Sequence, residues 1–277
     1  MTMRTRVTTL CCLLLVSMSS YAQSPADRLP QGARYVALGS SFAAGPGIPR
    51  QLGICGRSDH NYANLVARAL DLSLTDASCS GATVDNIRNT PQNDMPPQID
   101  AVTPDTALVT ITIGGNDISY TSSTFACSGT AADEHCTANL DRAAIDDALE
   151  GLPGELGAML DEIESRAPRA TIVFVNYPRM FPTNAVNCSE LALSPEDTAY
   201  LADLGQRLED VFIGVTASRR VPVANAYVRA AGHGPCAPVA QRWVNGATVA
   251  VNGSRYHPTA AGHAEMARLV LDVLESN

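Results

Sequence analysis

Short unbroken apolar runs alternate along this chain with longer segments whose apolar residues recur every three or four positions. The runs 34–38 (RYVAL), 107–113 (ALVTITI), 171–175 (TIVFV) and 221–224 (VPVA) have the length and β-branched content of buried strands. A weaker one, 72–75 (LSLT), leads into Cys79-Ser80-Gly81. Helical spacing covers 61–70, with Asp59 as its expected N-cap, then 143–166, 195–216 and 259–275. Pro153-Gly154 is expected to interrupt the second of these. Strand–helix alternation with near-continuous apolar strands predicts an α/β fold: a three-layer α/β/α sandwich around a mostly five-stranded parallel sheet, covered on both faces. No repeat, low-complexity tract or linker divides the chain, so residues 23–277 read as a single domain.

The first 22 residues belong to a different pattern. Arg4 and Arg6 precede the apolar stretch 10–16, and Ser20-Tyr21-Ala22 is a small-x-small cleavage site. This is the layout of a secretory signal peptide, expected to be cleaved and to leave a secreted or periplasmic protein. No later stretch approaches the roughly 20 apolar residues of a membrane span.

All 19 basic residues are arginine, against 28 acids, for a formal charge of −9. That balance argues against nucleic acid or anionic lipid headgroups as partners. Beyond Cys11 and Cys12 in the leader there are six cysteines: Cys55, Cys79, Cys127, Cys136, Cys188 and Cys236. An even number in an exported chain suggests three disulfides, although six cysteines permit 15 pairings. Pairing of sequence neighbours is the expectation. No Cys-x-x-Cys or His-x-x-x-His spacing supports a zinc site, and neither a metal nor another cofactor is expected.

In doubly wound sheets, ligands bind beyond the carboxyl ends of the strands. The polar residues there are Gly39-Ser40-Ser41, Ser80-Gly81, Gly114-Gly115-Asn116-Asp117 and Asn176-Tyr177-Pro178, and they are expected to converge. A hydroxyl nucleophile also needs a base. Of the five histidines, His257 lies on a loop just before the last helix. His263 falls inside that helix as a packing or surface residue, His60 starts an earlier helix, and His135 and His233 sit in cysteine-flanked loops.

Four blocks in this order resemble the GDSL/SGNH hydrolases, a family of esterases and lipases: "ALGSSFAAG", "SCSGATV", "TIGGND" and "YHPTAAGH". The resemblance spans nearly the whole mature chain and is nearest to the secreted, three-disulfide branch. There "C-x-R-S" and "N-Y" follow the first block, as Cys55–Ser58 and Asn61-Tyr62 do here. It implies the flavodoxin-like sheet of SGNH hydrolases and a serine esterase or lipase acting through an acyl-enzyme. Ser41 falls on the nucleophile and His257 on the base. Ser41 and Gly81 supply oxyanion-hole N–H groups and Asn116 an oxyanion-hole side-chain amide. Glycine is expected at position 81 because the backbone approaches closely and leaves no room for a Cβ.

Two positions depart from the family. Ser40 stands where an aspartate usually supports the loop, and Ser254 stands where an aspartate normally orients the base. No acid lies between 251 and 263. The expectation is a Ser–His dyad in which the Ser254 backbone carbonyl orients His257, with Asp117 a less favoured carboxylate that braces its own loop. The rival readings are a catalytically weak or inactive lipid- or carbohydrate-binding member of the fold, an α/β-hydrolase elbow and a phosphate loop. The elbow fails at Ala43, and the phosphate loop fails for want of a lysine. A monomer acting on a small-molecule or lipid ester is expected. The loops 121–139 and 181–193 are expected to frame the acyl pocket.

Overall fold

The computed structural model describes residue 1 and residues 29–129, 135–182 and 187–276, so the expected leader, apart from Met1, lies outside the described residues. In chain order the strands are β1 (Arg34–Gly39), β2 (Gln51–Leu52), β3 (Arg57–Ser58), β4 (Ser73–Asp76), β5 (Thr106–Thr112), β6 (Thr171–Val175) and β7 (Val223–Ala224). The helices are α1 (Ser41–Ala44), α2 (Tyr62–Leu70), α3 (Val84–Arg88), α4 (Tyr120–Cys127), α5 (Arg142–Arg166), α6 (Pro195–Arg219), α7 (Ala226–Arg229) and α8 (Ala260–Ser276).

Five strands form one parallel sheet in the order β4-β1-β5-β6-β7, and β2 and β3 form a small antiparallel hairpin. Successive side chains of a strand point to opposite faces, which builds two cores from each apolar run. Val36, Leu38, Val109, Ile111 and Phe174 face one cluster, completed by Leu156 of α5 and Leu208 of α6. Tyr35, Ala37, Leu108, Val173 and Val175 face the other, completed by Val66 of α2 and Val270 of α8. The strand order reverses between β1 and β5. This is the switch point of the flavodoxin-like arrangement, where the outgoing loops splay apart and leave a crevice.

The boundaries that moved have local causes. Asn61, not Asp59, caps α2: its Oδ1 accepts from the Asn64 N–H at 3.0 Å, while Asp59 is engaged by His60 and Arg50. β7 begins after Pro222, whose missing N–H cannot join a ladder. The interruption expected at Pro153 does not occur, and α5 runs unbroken through it. Gly151 and Gly154 lie on its exposed side, while Leu149, Leu152, Leu156 and Leu160 are buried on either side of the proline. Packing of that stripe outweighs one lost backbone hydrogen bond.

The disulfides are Cys55–Cys79, Cys127–Cys136 and Cys188–Cys236, the pairing of sequence neighbours.

Candidate active site

β1 ends at Gly39, whose φ of +144° and packing both demand glycine; a Cβ there would lie 2.4 Å from the Thr112 carbonyl oxygen. Its peptide groups are gripped by one side chain. The Gly39 N–H donates to Gln98 Oε1 (2.7 Å) and Gln98 Nε2 donates back to the Gly39 carbonyl (3.0 Å). The chain then turns through Ser40 into α1, and Ser41 is the first helical residue. At that position a backbone N–H has no carbonyl four residues back to bond.

Hydrogen bonds draw the other strand exits onto this turn. The Cys79 N–H donates to the Gly39 carbonyl (2.9 Å) and the Ser40 N–H to the Thr112 carbonyl (3.0 Å). Asn116 Nδ2 donates to the Ala82 carbonyl (2.8 Å), which sets this side chain beside Gly81. Among the described residues, neither the Ser41 nor the Gly81 N–H enters a backbone hydrogen bond. Gly81 has φ +85°, yet a Cβ there would meet only Gln92 Nε2, at an ordinary 3.6 Å. Its left-handed backbone conformation by itself calls for glycine. Ser40 Oγ lies 3.1 Å from Tyr177 Oη, which also accepts from the Gly115 N–H (3.2 Å). Burial pushes the Tyr177 phenol up to about 12, so it stays a neutral hydroxyl joining three loops. Ser40 thus has a partner that an isolated reading of the first block could not supply.

His257 arrives from the opposite end of the chain. Its Nε2 lies 2.8 Å from Ser41 Oγ, and its Nδ1 lies 2.7 Å from the Arg255 carbonyl oxygen. A carbonyl only accepts, so Nδ1 carries the proton and Nε2 presents its lone pair to the serine hydroxyl. The Arg255 carbonyl, not that of Ser254, orients the ring. The Ser254 carbonyl is occupied by the His257 N–H (3.2 Å) and by Asn245 Nδ2 (3.2 Å), and the Ser254 hydroxyl donates to the Pro46 carbonyl (3.2 Å). Between them, Tyr256 adopts a left-handed φ of 55°, the conformation that lets this tight turn place a carbonyl two residues back under the imidazole. Tyr256 is fully buried, and its hydroxyl donates to the Leu191 carbonyl (2.6 Å). Such strained non-glycine residues persist only where packing over-determines them.

Ser41 and His257 are 6% and 5% exposed. The imidazole packs against Phe42 and Phe125, with centroids 4.9 and 6.1 Å away. Burial lowers its pKa below 6.5, and the Arg255 carbonyl offsets part of that shift. Asp117 does not reach the histidine. Its Oδ1 accepts the Val84 N–H at the start of α3 (2.8 Å), and burial raises it to about 6. His263 is a packing residue: fully buried, it accepts the Tyr62 N–H at Nδ1 (3.2 Å), and burial holds its pKa down to about 3.

Beyond Asp117, a groove of about 310 Å³ runs between α4 and α5, lined by Ile118, Ser122, Ala126, Ala144 and Ile145 among others. Of the two loops expected to frame an acyl pocket, part of 121–139 lines this groove. Phe181 and Pro182 line a separate one of about 320 Å³. Among the described residues, no group of three or more His, Cys, Asp or Glu side chains could hold a metal ion, and no helix is long and apolar enough to cross a membrane.

A serine hydrogen-bonded to a buried imidazole at the switch point of a doubly wound sheet, beside unspent amide donors, is the arrangement that hydrolysis by a serine nucleophile requires. The comparisons with known proteins narrow this. Residues 37–265 match the GDSL-like Lipase/Acylhydrolase family, and the chain belongs to it; it is a carboxylic ester hydrolase. It is 30% identical over 259 residues to Lipase 2 of Streptomyces coelicolor, covering 87% of this chain and 85% of that one. Among solved structures it resembles the extracellular lipase of Streptomyces rimosus (TM-score 0.74, 27% identity, 87% and 100% of the two chains). It is similarly close to phospholipase A1 of Streptomyces albidoflavus NA297 (TM-score 0.73, 25% identity, 87% and 99%).

Proposed function

We propose that this protein is an exported lipase or esterase that cleaves lipid and simple carboxylic esters by two-step acyl transfer through a Ser41–His257 dyad. Ser41 Oγ attacks the ester carbonyl carbon as its proton passes to His257 Nε2. The carbonyl π electrons move onto oxygen, and the oxyanion is held by the Ser41 and Gly81 N–H groups and one Asn116 Nδ2 hydrogen. Asn116's other amide hydrogen stays on the Ala82 carbonyl, which fixes the side chain before reaction. Collapse of the intermediate expels the alcohol, which takes the proton from His257. Water then enters by the same path, with His257 as base, and releases the acid.

The observation that carries this reading is the 2.8 Å contact from Ser41 Oγ to His257 Nε2, with Nδ1 on a carbonyl. A neutral acceptor fixes the tautomer as a carboxylate does, but it stabilises the imidazolium less. The expectation is a modest rather than fast catalyst. Three disulfides and the extracellular nature of the S. rimosus relative support export. The lipases and phospholipase among its relatives support a lipid ester. The groove between α4 and α5, starting beside Asn116, is suited to the acyl chain.

A fluorophosphonate probe is expected to label Ser41 and to fail on Ser41→Ala, while Ser40→Ala keeps measurable turnover. Asn116→Ala should lower kcat on the order of 10²–10³-fold, the usual cost of one oxyanion donor. An unlabelled Ser41 in folded protein would remove the acyl-enzyme.

A further inference from the structure

Two segments bracket the dyad, 40–58 after β1 and 243–264 before and into α8. In a chain with 28 acids they contain none, and they carry Arg50, Arg57 and Arg255. They also carry four of the seven large aliphatic side chains that, Met1 aside, stand strongly exposed among the described residues. Leu52 (50%) and Ile54 (74%) form the tip of the β2–β3 hairpin, and Val249 (45%) and Val251 (63%) lie on the loop leading to His257. Exposed aliphatics scattered singly need no explanation, but a concentration beside a site does.

The two segments are joined. The Gly253 N–H donates to the Gly47 carbonyl (2.9 Å) and the Ser254 hydroxyl to the Pro46 carbonyl (3.2 Å). Gln51 Nε2 fastens the hairpin to the carbonyls of Gly45 and Ile48 (both 2.9 Å), and the Cys55–Cys79 disulfide ties it to the Gly81 turn. The apolar tips are thus attached to the nucleophile's helix, the oxyanion turn and the histidine's turn at once. Arg255 stays exposed with its guanidinium over the Phe125 ring, which itself packs on His257. Arg50 is largely exposed and lies 3.6 Å from Asp59. An exposed acid, Asp94, borders the rim beside Asn93, whose amide contacts Cys79 Sγ.

We propose that this rim docks the enzyme onto aggregated phospholipid. Leu52, Ile54, Val249 and Val251 enter the boundary between headgroups and acyl chains, and Arg50 and Arg255 meet lipid phosphates. An apolar, arginine-bearing face whose acids are limited to Asp59 beside Arg50 and Asp94 at the border orients an otherwise acidic molecule, because the remaining surface is repelled by an anionic membrane. The inference rests on the lipid-ester reading of the site, since docking there presents a lipid ester to Ser41.

The test separates binding from hydrolysis. Sedimentation with phosphatidylcholine vesicles containing phosphatidylglycerol is measured on Ser41→Ala protein, with and without Leu52→Ser, Ile54→Ser, Val249→Ser and Val251→Ser. The four substitutions are expected to weaken vesicle binding at least tenfold. In the Ser41 background they should leave kcat/KM on a soluble acetate ester within twofold, which also reports an intact fold. In a separate protein, Val251→Trp should give a blue-shifted fluorescence component on adding vesicles. Undiminished vesicle binding in the fourfold variant, or no shift at position 251, overturns the proposal. Wild-type protein that hydrolyses no ester but loses vesicle binding on substitution would strike the hydrolase reading and leave the docking face standing.

Discussion

The imidazole of His257 is bound to Ser41 on one side and to a backbone oxygen on the other, and both contacts are made in a dry setting. Burial favours its uncharged form, so in the proposed mechanism it can accept the serine proton at pH values where an exposed histidine would already be protonated. The acid limb of kcat/KM on a soluble ester should therefore fall with an apparent pKa below 6.5. A limb at 7 or above would mean a carboxylate approaches the ring during turnover. Because Arg255 acts through its carbonyl, its side chain is free to face solvent. Nothing in the local pattern around Tyr256 singles it out. Its left-handed backbone and buried, hydrogen-bonded hydroxyl shape the turn on which the histidine stands.

At the scale of elements, the site is the meeting of three strand exits and one pre-helical turn, and single side chains act as clamps between them. Gln98 precedes β5 yet holds both peptide groups of Gly39 at the end of β1. Gln98→Leu would leave the buried Gly39 N–H unpaired, at roughly 1–3 kcal/mol, while the Gly39 carbonyl keeps the Cys79 N–H. A loss of about 1–3 kcal/mol in denaturant unfolding is expected, with kcat reduced more than KM is raised. Unchanged stability would show that the clamp is not needed. The groove between α4 and α5 gives a second prediction. Ala126→Phe narrows it, so p-nitrophenyl esters of long acyl chains should lose kcat/KM by tenfold or more while the acetate ester is spared. Equal losses across the series would place the chain elsewhere.

Across the whole molecule, buried titratable groups set opposing pH dependences. Burial raises Glu209, whose carboxylate accepts from Asn176 Nδ2, to about 7, against 4.5 when unfolded. Between those values the folded state binds more protons, so stability falls as pH rises, by at most about 1.4 kcal/mol per pH unit. His263 has the opposite sign. Held near 3 against 6.5 unfolded, it contributes fully above pH 6.5 and its contribution is lost as pH falls toward 3. Stability should therefore drop on the acid side through the histidine and decline between pH 6.5 and 7 through the carboxylate. Glu209→Gln should raise Tm at pH 8 relative to pH 5. Parallel pH–Tm curves for the two proteins would assign the decline to another group.

The sequence by itself determined the layers, because continuous apolar runs can only be strands buried on both faces. The expected pairing of neighbouring cysteines is the one the structure holds, and the blocks that resemble the family pointed to Ser41, Gly81, Asn116 and His257, of which Ser41 and His257 meet in a hydrogen bond. The sequence misplaced the helix cap at Asp59 and the break at Pro153, where a side chain's choice of partner and the packing of a leucine stripe outweighed local preference. It named Ser254 where Arg255 serves. Which of two adjacent carbonyls meets an imidazole depends on one left-handed residue, and that conformation is imposed by a tyrosine buried against Leu191, 65 positions away. Tyr177, Gln98 and the apolar rim belong to the same class. Their roles arise only when segments far apart in the chain are brought into contact, because a hydrogen bond or an exposed face is a property of two surfaces and not of one stretch of residues.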